Sequence, residues 1–144
     1  MVPLQQPLTR RRVASGAQLI YWFLPGVSLW VGLTYMFGPR HAFDTTPSYH
    51  YIVDWMPVAH WGWFFVGFGV LELACTFERS RRSMVLALCI ASFSYLAWSA
   101  MFLAAAIEVP DALLTQAGIW GFIGVAHLAL ATSLARDVVM RYGR

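Results

Sequence analysis

The chain has 144 residues, 59% of them hydrophobic and 12% charged, with a net charge of +3 and a mean hydropathy of +0.59; soluble domains carry about 25% charged residues. This balance excludes a water-soluble globule, and the length leaves no room for a large enzyme domain beside membrane spans. All ten cations are arginines and most flank apolar runs, so the basic pI of 9.2 points to membrane topology, not to nucleic acid.

Residues 1–16 are polar and contain Arg10, Arg11 and Arg12 ahead of the first apolar run. The cluster has the look of a signal-peptide n-region, but the run after it, about 17–37, has the length of a full span and no convincing small-residue cleavage site. A retained first span is expected, with a kink at Pro25-Gly26. The segment from Gly38 to Ala59 is then external. Thr46-Pro47 is a good N-cap and first-turn pair, and Tyr49, Ile52, Val53 and Met56 recur at helical spacing, so a short interfacial helix is expected over about 47–56. His50 and Asp54 fall on its wetter face. Trp55, Trp61 and Trp63 form an aromatic belt at the same boundary, read first as interface anchors and second as a docking surface for a partner.

The second span, about 61–77, contains one acid. At 100° per residue Gly62, Phe65, Gly69, Glu72 and Thr76 share a narrow face, so Glu72 is expected on the small-residue stripe that packs on another helix, roughly 8 Å inside the arginine-flanked end. Ionisable groups at such depth are costly and point to function, although an interhelical hydrogen bond would also retain one. Arg79, Arg81 and Arg82 follow in a turn so tight that the second and third spans must form an antiparallel hairpin. The third span, about 84–106, places Ala87, Ala91, Ser94 and Ala105 on one face with Trp98. Cys75 and Cys89 both fall inside spans toward the arginine end; they read as small apolar fillers, with Cys89 expected on the helix facing Glu72. The fourth span, about 118–135, has the stripe Ala117, Gly121, Gly124, Ala131 and Ala135, with His127 at its edge. Glu72 and His127 differ in depth by about one helical turn. Their pairing would make either a static clamp or a proton relay.

Arg10–Arg12, Arg79, Arg81, Arg82, Arg136, Arg141 and Arg144 fall on one side of this scheme and only Arg40 on the other. The asymmetry selects an all-α integral membrane four-helix bundle with N- and C-termini cytoplasmic, as a single membrane domain 1–144.

No phosphate-binding glycine loop, HExxH, paired CxxC or serine elbow is present, and Gly67-Phe68-Gly69 lies inside a span. His41, His50 and His60 stand too far from the depth of His127 for a bis-histidine haem. No catalytic residue, metal or cofactor is expected, and nothing points to an enzyme.

The stretch TTPSYHYIVDWMPVAHWGWFFVGFG resembles a pattern in small four-span membrane proteins of phages infecting actinobacteria. The matching positions are Pro47, Ser48, Tyr49, Met56, Pro57, Trp61 and Gly62, over about the middle third of the chain. Proteins of that kind are often holin-like: they accumulate in the inner membrane, self-associate and permeabilise it. The resemblance implies a homo-oligomer and no catalytic residues; Glu72 is not part of its pattern. Two other classes stand beside it. One is an accessory protein binding a host membrane complex through the external helix and aromatic belt. The other is a small proton-coupled carrier using Glu72 and His127.

Overall fold

The structure, a computed structural model, describes residues 8–39, 43, 45–78, 80–109, 112 and 114–142, with side chains from Trp22 onward apart from those of 138 and 140–142. All of its regular structure is helical: α1 (Leu8–Phe37), α2 (Pro47–Val53), α3 (Val58–Glu78), α4 (Arg81–Glu108) and α5 (Leu114–Tyr142). Three stretches, Val58–Glu78, Arg81–Glu108 and Leu114–Asp137, are long and apolar enough to cross a membrane, and Trp22–Phe37 is a shorter apolar helix. Together they fit a helical membrane bundle.

The long helices extend beyond the apolar runs that announce them, because backbone hydrogen bonding continues into polar flanks that hydropathy ignores. At the start of α4, Ser80 occupies the N-cap and its hydroxyl accepts from the Ser83 amide at 3.4 Å, so the helix begins before the apolar run does. The interfacial helix is shorter than expected and stops at Val53, not near residue 56. Met56 precedes Pro57, whose ring disfavours helical backbone in the residue before it, and the chain already unwinds through a turn at Asp54 and Trp55. α1 runs through Pro25 without interruption, and that proline is fully buried.

The long helices associate as two antiparallel pairs. In the α1/α3 pair the backbones nearly touch. A Cβ placed on Gly32 would lie 2.6 Å from the Val66 amide nitrogen and 2.7 Å from the Gly62 carbonyl oxygen. Gly62 in turn meets Met36 and the Gly32 carbonyl, and Gly69 meets Leu29. In the α4/α5 pair Gly124 packs on Leu96 and Gly121 on Ser99, and two hydroxyls reinforce the contact: Ser92 donates to the Gly124 carbonyl at 2.8 Å and Ser99 to the Ala117 carbonyl at 2.6 Å.

The pairs pack on each other through two core regions. Leu24, Cys75, Met84, Ala87, Leu88, Ala131 and Leu134 form a plug of small and aliphatic side chains. Tyr35, Ile52, Phe65, Tyr95, Trp98, Phe102 and Ala117 form an aromatic column capped by α2. Trp22 on Phe77 (5.6 Å between ring centroids) and Arg81 to Asp137 (3.5 Å) lie at one end of the bundle, so the start of α4 and the ends of α3 and α5 converge there. The outward surface is the reverse of a soluble protein's: Phe23, Trp30, Trp63, Phe77, Phe93 and Phe122 are all more than half exposed.

Candidate functional site: a buried polar cluster

Every long helix sends at least one polar side chain to the centre. Ser28 from α1, Glu72 from α3, Tyr95 and Ser92 from α4 and His127 from α5 are all buried. Glu72 points inward because it continues the buried row Gly62, Phe65, Gly69, Glu72, Cys75. His127 does so within the row Ala117, Gly124, His127, Ala131, Leu134.

The Nε2 atom of His127 lies 3.1 Å from Oε1 of Glu72, both side chains fully buried. The contact is at ion-pair distance without the alignment of a linear hydrogen bond, and Oε2 of Glu72 has no hydrogen-bond partner among the described residues. On the other side of the ring, Nδ1 is 2.8 Å from the Ile123 carbonyl oxygen. A carbonyl can only accept, so Nδ1 carries a hydrogen, and Nε2 is the atom free to take or release a proton toward the carboxyl. The imidazole stacks on Tyr95 at 5.1 Å and 29°, and the Tyr95 hydroxyl donates to Ser28 Oγ at 2.9 Å. Glu72–His127 and Tyr95–Ser28 are thus two polar links between the helix pairs, side by side. Thr76 donates its hydroxyl to the Glu72 carbonyl at 2.8 Å and so stays within its own helix.

Chemically, one carboxyl and one imidazole can hold and exchange a proton. Among the described residues no three His, Cys, Asp or Glu side chains converge as metal ligands.

The other residues singled out by sequence are distributed as follows. Gly62, Gly69, Gly121 and Gly124 sit at the helix contacts, and Ala87 and Ala91 are buried. Trp55 and Trp63 are largely exposed. Trp61 is different: it is half-buried, its ring centroid 4.3 Å from that of Trp98, and its Nε1–H donates to the Met56 carbonyl at 3.1 Å. It therefore pins the α2–α3 corner to the bundle instead of serving as a free anchor. Cys75 is buried, whereas Cys89 is exposed on the outer face of α4 and does not look toward Glu72. Arg82 is exposed, and Arg81 pairs with Asp137; Arg79 lies outside the described residues, as does His41.

At the opposite rim the hydroxyls of Tyr35 and Tyr49 meet at 3.1 Å. Burial pushes the Tyr49 phenol above its usual range, which keeps it a hydrogen-bonding alcohol. Beside them a cavity of about 230 Å³ is lined by Tyr35, Met36, Phe43, Val53, Pro57 and Val58.

Ser28, Ser92, Tyr95 and Gly32 escape a reading by charge. The signal for two of them is spacing: Pro25, Ser28, Gly32 and Tyr35 recur at i, i+3, i+7 and i+10, which is the buried face of α1. No family model, characterised protein or solved structure matches this chain.

Proposed function

We propose that this is a non-enzymatic, multi-pass protein of the bacterial cytoplasmic membrane, phage-encoded and holin-like, that acts by associating with copies of itself. In this reading all four long helices span the bilayer, with both termini in the cytoplasm beside the arginine clusters. The observation that carries it is the partition of polarity. The buried polar side chains meet at the bundle centre, while the faces turned to lipid present aromatic and aliphatic groups. The outer face of α3 has a furrow lined by Trp63, Phe64, Gly67, Phe68 and Leu71, and a Cβ on Gly67 would meet nothing within 4 Å. A glycine-floored furrow of this shape suits the ridge of a neighbouring helix.

Inducible expression with a membrane-potential dye tests the reading. The expected outcome is loss of potential and growth arrest with native protein, both weakened in Gly67→Leu, which fills the furrow without touching the bundle. Stable potential at full membrane insertion would refute it. A second reading, a small proton-coupled carrier, is favoured by the Glu72–His127 contact; substrate uptake that is lost in Glu72→Gln with assembly intact would select it.

A further inference from the structure

We propose that Glu72 and His127 form a single buried proton-binding site, loaded from the arginine-bearing end of the bundle, whose occupancy sets how firmly the α1/α3 pair is held on the α4/α5 pair. The proposal does not depend on whether the protein permeabilises membranes.

The geometry leaves the pair few choices. Nδ1 of His127 is committed as a donor to the Ile123 carbonyl, so the 3.1 Å gap between Nε2 and Oε1 needs one proton to be attractive. With that proton the pair is either a neutral acid donating to imidazole or an imidazolium facing a carboxylate; both are neutral overall. Without it, an Nε2 lone pair faces a buried carboxylate, and the centre carries an uncompensated negative charge. With a second proton on the unpartnered Oε2 or on Oε1, an imidazolium faces a neutral acid, and the centre carries an uncompensated positive one. Either excursion leaves a buried charge without a partner, which strongly disfavours the closed packing.

No neighbour among the described side chains relieves it. From α4 the facing ionisable group is Tyr95, whose hydroxyl is already given to Ser28; from α3 it is the buried Cys75, one turn further on. The described face of α1 presents Ser28, and α5 has no other ionisable side chain between Leu114 and Ala135. The response is therefore concentrated on the contact between pairs, since the seams inside each pair are made by glycines and serines that do not titrate.

The route follows from depth. Glu72 is six residues from the end of α3 at Glu78, about 9 Å along the axis, against about 21 Å to Val58 at the other end. The short way is closed by aliphatic side chains and Cys75, and the long way by stacked aromatic rings. Opening the aliphatic plug exposes Cys75.

The test uses the full-length protein in lipid nanodiscs. With carbon-13 glutamate and nitrogen-15 histidine labels, infrared and NMR titrations are expected to show a buried carboxyl and a buried imidazole changing at the same midpoint, as one coupled site. Carboxyl and imidazole signals that move at different midpoints from each other, or no change between about pH 4 and 10, overturn the proposal. In a Cys89→Ala background, the labelling rate of Cys75 by a maleimide is divided at each pH by the rate in the same protein denatured in detergent, which removes the ordinary pH dependence of the thiol. That ratio should be lowest on the neutral plateau and rise about tenfold where the shared proton is lost or a second is gained, the factor for roughly 1.4 kcal/mol of lost closure. A ratio flat across the range overturns it.

Discussion

The two helix-pair seams are held together by different physics. α1 and α3 approach through Gly32 and Gly62, backbone against backbone, with no side-chain hydrogen bond crossing that seam among the described residues. α4 and α5 leave slightly more room, fill it with Leu96 and Ser99, and add the hydroxyl bonds of Ser92 and Ser99. In lipid there is no hydrophobic drive to bring helices together, so dispersion at close range and polar contacts are the two available means. One seam depends on the absence of side chains and the other on their chemistry. The first should therefore fail abruptly on addition of atoms, and the second gradually on their removal.

Reversible unfolding in mixed micelles ranks the consequences. Gly32→Leu should be the most damaging, at more than about 3 kcal/mol, because its Cβ would strike backbone atoms that cannot rotate away. A loss under about 1 kcal/mol would show that the α1/α3 approach is looser than described. Glu72→Leu, acting between the pairs, is expected to cost about 2 kcal/mol by stranding His127 Nε2, whereas Glu72→Gln should stay within about 1 kcal/mol because an amide can still donate to it. Gly124→Ala should cost about 1 kcal/mol, since its Cβ would lie 2.8 Å from Leu96 Cγ, a side chain that can shift, while the nearest backbone atom, Leu96 N, is at 3.2 Å. Ser92→Ala and Ser99→Ala should each cost about 0.6 kcal/mol; a loss as large as that of Gly32→Leu would erase the contrast with α1/α3. Arg81→Ala should fall within about 0.5 kcal/mol of native, because the pair with Asp137 is exposed and long at 3.5 Å.

What the sequence made legible is what hydropathy and periodicity encode. Apolar runs bounded by arginine mark the helices, and 100° spacing places Glu72 on the same face as Gly62 and Gly69. Counting depth puts Glu72 and His127 about one turn apart. It does not say that α3 and α5 face each other across the centre; that depends on how the pairs dock. Tyr95 and Ser28 were illegible for a different reason: a hydroxyl within an apolar run breaks no pattern, and its partner is 67 residues away. Trp61 was read from its position at a rim, yet the Pro57 corner turns it inward onto Trp98, an outcome that only the local backbone path determines. Cys89 shows the same limit, since depth along a helix does not give azimuth.

The two cross-pair polar links, Glu72 to His127 and Ser28 to Tyr95, sit beside each other in the interior of the bundle. Such a placement works as a rivet: the helix pairs can scissor about it without lengthening either link. Changes in bilayer thickness would then be absorbed as a change of crossing angle, with the rivet intact. Distances between spin labels at the two rims should accordingly vary with acyl-chain length while a label pair near residue 95 stays constant; a uniform change at all depths would mean the halves slide instead.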